Sequence, residues 1–364
     1  MNRIKRGGFA LAVALVTTLL FGGSFAQVAT ASPTASFVLA DTGPAAPAGG
    51  IMAHPFTPPK KAAKVAGFTG SGYYYAEAMQ TFSGTDIVKG VSATIEINEP
   101  YVEKIGTCSQ ATGACDHSLA ELLLQGPNGD AVEFGYAAEP NVTAFGDTKP
   151  RLFASRWKYD SSLGYAVWGG CYGEGCGWID KTPMDSTDDL GIDLTSVAQA
   201  TWPNNAKSFK VAYESPTNCG PSVNTGNWQF YYGTSSSLVN IGCYPPTQVP
   251  SFNAVDARAF WEVNYTAKAG GATGGTKPCT DMGRLGRFGS QYNGSPIDTN
   301  DPAYFGSISY YGSSLPAYNL SLFSTDSTMY DIYSIGAAGN RTVVGGGPGA
   351  SPPSGTTPGG VNCT

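Results

Sequence analysis

The residues in this sequence best suited to chemistry are two glutamates, each on a short segment that alternates like a strand. Glu133 lies in "DAVEFGYAAEP", Asp130 to Pro140, and Glu262 lies in "ARAFWEVNYT". Alternation sends Val132, Phe134 and Tyr136 to one face and Ala131, Glu133, Gly135 and Ala137 to the other. The second set is a carboxylate among very small side chains, so its face is expected to stand open. In the other segment Trp261, Val263 and Tyr265 share one face, with Arg258, Phe260, Glu262 and Asn264 opposite. If the two strands lie in one sheet, the carboxylates could meet across a cleft. Such a pair runs hydrolysis unaided when like-charge repulsion and partial burial raise one pKa. One member takes a proton from water and the other donates to the substrate. The bland alternative is two solvated glutamates on exposed strand faces.

Other chemistries fit poorly. A serine triad needs a histidine base, and of the two histidines, His54 and His117, only His117 falls in the expected mature domain. It has no G-x-S-x-G near it and is expected to be a surface residue. Neither histidine stands at zinc spacing from a cysteine cluster, so no metal or cofactor is expected. Asp41-Thr42-Gly43 is the aspartic-protease triplet, but it occurs once, in a Pro/Ala linker, where that chemistry requires two opposed aspartates. "GGGPG" lacks the lysine of a phosphate loop.

The elements that must position the glutamates are short. "GVSATIEI", "SFKVAYE", "NWQFYYG", "AFWEVNY" and "FGSISYYG" are aromatic or β-branched runs bounded by Gly, Pro and Asn. They predict an all-β fold, an antiparallel sandwich or a barrel. "HSLAELLLQ" reads either as a brief helix or as a buried strand. Net charge is −6 with 13% charged residues, and 48 glycines and 20 tyrosines suit a β-rich extracellular protein. No basic patch suggests nucleic acid.

"MNRIKR" followed by "FALAVALVTTLLF" and small residues predicts a signal peptide over 1–31. No later apolar run is long enough to span a bilayer, so no membrane association is expected after cleavage. Residues 32–71, rich in Ala, Pro, Gly and Thr, read as a linker or short pro-segment ending near the exposed lysines of "PPKKAAK", and 72–364 as the catalytic domain. The eight cysteines all follow the leader, as disulfides in a secreted chain would. Cys108 and Cys115, and Cys171 and Cys176, would close small loops. Cys219 and Cys243 bracket a hairpin-like stretch, which leaves Cys279 and Cys363.

At these residues the sequence resembles the neprosin family of glutamic endopeptidases, as an ordered series of motifs from about Gly72 to Cys363. "GVSATIEINEPYVE" is similar to the family's first strand and turn, and "HSLAELLLQGPNGDAVEFGY" to its first catalytic segment, with Glu133 in the catalytic place. "FGDTKPRLFASRW", "GGCYGEGCGWI", "TGNWQFYY", "IGCYPP" and "TDMGRLGRFG" follow in family order, the second supporting a Cys171–Cys176 bridge. "FWEVNY" stands where the family has Gly-Gly-Glu-Val, so Glu262 takes the second catalytic place; here Phe260 and Trp261 replace both glycines. The large pro-domain of plant members is missing, so any latency rests on the stretch before Gly72. The resemblance implies a β-sandwich of two stacked sheets, with long loops and a substrate cleft across one concave sheet. It also implies a metal-free secreted acid endopeptidase acting on peptides, cleaving after proline, and a monomer is the default expectation. Activity is expected in acid, falling near neutrality as both glutamates ionise. Tyr136, Trp157 and Trp261 are expected in the core rather than in subsite walls. A β-sandwich glycoside hydrolase would also use two carboxylates, and a non-catalytic extracellular binding module is the remaining class.

Overall fold

The runs picked out by alternation form strands in a computed structural model. It describes residues 72–100, 102, 116–140, 147–172, 176–181, 190–200, 203–265, 303–324, 331–335 and 342–346. In chain order the strands are β1 (Gly72–Thr81), β2 (Ile87–Glu96), β3 (His117–Gln125), β4 (Ala131–Ala138), β5 (Arg151–Asp160), β6 (Tyr165–Cys171), β7 (Ile179–Asp180), β8 (Ala206–Cys219), β9 (Ser222–Thr234), β10 (Ser237–Tyr244), β11 (Asp256–Tyr265), β12 (Ala303–Ser314), β13 (Ser321–Ser324), β14 (Asp331–Ile335) and β15 (Thr342–Gly346). One helical turn, α1 (Thr195–Ala198), joins them. The "HSLAELLLQ" segment, open between helix and strand on its sequence, is β3.

Two antiparallel sheets stack as a sandwich, not a barrel. The first runs β13-β1-β11-β3-β4-β5-β6 and the second β14-β15-β12-β2-β8-β9-β10-β7. Aromatic side chains fix how they face one another. Phe134 of β4 meets Phe209 and Phe230 of the second sheet edge-on, at 5.1 and 5.3 Å between ring centroids. Trp261 of β11 meets Phe305 of β12 at 4.5 Å. Such pairs stabilise beyond the area they bury, and turning either strand over would expel these rings from the core. Val132, Tyr136, Leu122 and Val263 join the same inner cluster.

The first sheet has a second buried face. Tyr75, Leu119, Leu123, Phe153, Trp157, Trp168, Tyr172 and Phe260 form a separate apolar cluster on the side turned away from the second sheet. The glutamates project to this side.

Cys219 and Cys243 are bonded, as their bracketing of β9 suggested. Cys176 is also in a disulfide. The side chain of Cys171, together with Cys108, Cys115, Cys279 and Cys363, lies outside the described residues, as do the expected leader 1–31 and pro-segment 32–71. No described helix is long and apolar enough to cross a membrane.

Candidate active site

Register between strands builds the site. The β3–β4 hairpin turns through "GPNG", with Gly129 at φ +90° and Gly126 N–H donating to Asp130 O at 2.7 Å. A left-handed φ of this kind is what glycine supplies without steric cost. From that turn the pairing counts back without a bulge, setting Leu123 opposite Glu133, Glu121 opposite Gly135 and Leu119 opposite Ala137. On the other side of β3, Leu119 faces Glu262 and Glu121 faces Phe260.

Three parallel rows therefore cross the outer face. The first reads Tyr75, Glu262, Leu119, Ala137, Arg151; the second Glu77, Phe260, Glu121, Gly135, Phe153; the third Met79, Arg258, Leu123, Glu133, Ser155. Glu262, Glu121 and Glu133 fall on a diagonal, one strand and one row apart at each step. Diagonal neighbours in a sheet lie about 7–8 Å apart, within reach of long side chains. The two glutamates singled out from the sequence thus share one sheet and one face. Between them stands a third, Glu121, which the sequence reading missed.

All three carboxyls are 0% exposed, so the open face expected around Glu133 is closed. Gly135 is small for a different reason than clearing space. A Cβ there would stand 2.0 Å from the Ala120 carbonyl and 2.7 Å from Glu121 Cα. The strands approach too closely for any side chain at that point.

Burial decides the electrostatics. It pushes Glu133 up to about 8, against the pull of two donors, Ser155 Oγ on Oε2 and Trp157 Nε1 on Oε1 at 2.8 Å, while the charge of Glu262 adds to the rise and that of Arg258 opposes it. Burial, followed by the charges of Glu133 and Glu262, holds Glu121 well above the ordinary carboxylate range. Neither Glu121 oxygen has a hydrogen-bond partner among the described residues. Arg258 supplies buried positive charge on this face, 3.1 Å from Asp256 Oδ1 and 3.7 Å from Glu77 Oε2.

His117 is a correction to the sequence reading. Expected at the surface, it is 0% exposed, with Nε2 2.6 Å from Glu262 Oε1. It opens β3 on the same face as Leu119 and Glu121, diagonal to Glu262. Nearby Glu139 is raised to about 7 by burial, with the charge of His117 pulling it back. Trp157 is buried in the apolar cluster of the outer face, where its indole N–H serves Glu133, and Tyr136 and Trp261 lie in the inner core, as expected of all three. Among the described residues no three His, Cys, Asp or Glu side chains are grouped to hold a metal.

The arrangement can hold one proton at Glu133 beside donors suited to the anion it would leave, and it keeps a histidine against Glu262. That is an acid–base layout.

No protein-family model matches the chain, and no curated protein matches it. Among solved structures it is similar to scytalido-glutamic peptidase bound to a peptide-based transition-state analogue, at 11% identity and a TM-score of 0.37, over 76% of this chain and 98% of that one. A likeness this slight bears on neither residue roles nor function.

Proposed function

We propose that the chain is a secreted acid endopeptidase that hydrolyses peptide bonds, after proline by preference, through Glu133 and Glu262. The observation that carries this reading is the placement of both carboxyls on one face of one sheet, from strands far apart in the chain, with a single strand between them. The ordered motifs that resemble the neprosin family support the substrate class. The leader pattern and the Cys219–Cys243 bridge suit an oxidising, extracellular setting.

Glu133 is the proton donor. Burial keeps it protonated, and Ser155 and Trp157 already face the oxygens that become negative once the proton leaves. Glu262 is the base. His117 Nε2 stands 2.6 Å from its Oε1, holding in place the carboxyl that takes a proton from water. Water attacks the peptide carbonyl as Glu262 accepts its proton; Glu133 then protonates the departing nitrogen and the C–N bond breaks. Because the carboxyls are fully buried, turnover requires this face to open to water and polymer.

Glu133→Gln and Glu262→Gln keep shape and remove proton transfer. Each is expected to lower kcat by about 10²–10⁴ on an unfolded protein substrate, with thermal unfolding confirming the fold. Digestion by either folded variant at the parent rate, with pepstatin and EDTA present, would sink the mechanism. Release of reducing sugar from polysaccharide without peptide cleavage would replace it with glycoside hydrolysis.

A further inference from the structure

We infer that Glu121 is a third catalytic residue, a neutral carboxylic acid whose O–H binds the oxygen of the scissile carbonyl and stabilises the oxyanion. The inference rests on the peptidase reading above and gives it a group that neither Glu133 nor Glu262 supplies.

Three observations carry it. Glu121 stands midway on the diagonal from Glu262 to Glu133, flanked in its own row by Phe260 and Gly135, neither of which can bond to it through a side chain. It is wholly buried, yet both its oxygens lack a hydrogen-bond partner among the described residues. Buried polar groups are ordinarily satisfied, and one left over calls for an explanation such as a missing ligand. The groups around it also discourage a charge. Glu133 on β4 and Glu262 on β11 lie diagonal to it and Glu77 stands two strands away on β1, against the guanidiniums of Arg258 on β11 and Arg151 on β5 and the imidazole of His117 at the start of β3. A protonated acid in that position offers one donor and one acceptor.

The order along the diagonal assigns the ligand atom. With water activated at Glu262 and the leaving nitrogen served at Glu133, the carbonyl between them meets the middle group. Glu121 gives its hydrogen bond to the carbonyl oxygen as negative charge develops there, and it retains the proton throughout. Glu262 gains the proton of the attacking water, Glu133 loses one to the amine, and Glu121 ends each turnover as it began.

The test compares Glu121→Gln and Glu121→Leu in the full chain, made alongside Glu133→Gln and Glu262→Gln. Glutamine keeps an N–H donor at the same reach, and leucine removes it. Glu121→Leu should lose about 10²–10³ in kcat, as for one oxyanion donor, with KM little changed. Glu121→Gln should recover most of that loss, and a difference infrared spectrum against the parent should show one protonated-carboxyl contribution lost in both variants. Full activity in a folded Glu121→Leu, while Glu133→Gln and Glu262→Gln are inactive, overturns the role of Glu121 alone. So does a folded Glu121→Gln as slow as the leucine variant. Activity in the Glu133 or Glu262 variants overturns the peptidase mechanism itself.

Discussion

At Glu133 two tendencies of similar kind oppose each other. Ser155 and Trp157 donate to the carboxylate and favour its charge, whereas burial disfavours it, and burial wins because the group settles at about 8. The donors therefore matter most after the proton has gone, when they hold an anion that this face would otherwise reject. Trp157→Phe keeps the ring and removes the donor. Its expected effect is a lower kcat together with an alkaline limb of the pH–rate profile displaced to higher pH, since the acid form loses a competitor. A full pH profile of kcat/KM checks both, and a limb displaced toward acid would contradict the assigned donor role. In the parent that limb should lie between the ordinary value of 4.5 and about 8, because opening the face to substrate admits water and relaxes part of the burial. The acid optimum expected from sequence therefore extends closer to neutrality than a pair of solvated glutamates would allow.

Alternation made most of the strands visible in the sequence, and it failed where it had nothing to alternate. Val132, Phe134 and Tyr136 on β4, and Trp261 and Val263 on β11, face the second sheet as their spacing implied. β3 is buried on both sides, so its sequence reads "LAELLLQ" without a period, and a glutamate at its centre carried no sign of which face it took. The one available clue was the presence of an acid in an apolar run, since such a residue needs a partner or a proton. The placement of β11 between β1 and β3 left no local mark either, because those contacts join segments far apart in the chain. Burial of the outer face, and with it the partnership of His117 with Glu262, depends on that order and was equally hidden. The tight crossing of β3 and β4 offers a test at this scale. Gly135→Ala would drive a methyl into the Ala120 carbonyl and the Glu121 backbone, where neither strand can yield without disturbing the hairpin. We expect a loss of roughly 1–3 kcal/mol or more, read as a lower Tm, and a loss of activity beyond what instability explains. Unchanged Tm and kcat would mean that the two strands lie farther apart than described.

For the whole molecule, a face crowded with buried acids links stability to pH with a definite sign. Glu133 stands at about 8 and Glu139 at about 7, and burial also raises Glu121 and Glu77. In the unfolded chain such groups release their protons near 4.5. Between those limits the folded protein binds more protons than the unfolded one, so stability falls as pH rises. The contribution is complete below 4.5 and is lost as pH climbs through about 7 and 8. Asp193 acts in the opposite sense: burial raises it, but Lys149 and Thr195 together outweigh burial and hold it down to about 2, so its contribution fades only as pH falls toward that value. It is a partly solvated pair and counts for little. A protein suited to acid follows, most stable at moderately acid pH and weaker at mildly alkaline pH. Each tenfold difference in proton affinity is worth about 1.4 kcal/mol, so the fall across this window should amount to several degrees or more in Tm. Calorimetry across the range measures it, and Glu133→Gln, which removes one of the titrating groups, should flatten the slope. A Tm that rises from acid to alkaline pH would show that these carboxyls are ionised in the folded chain. The proton at Glu133 on which the proposed acid depends would then not be there to give.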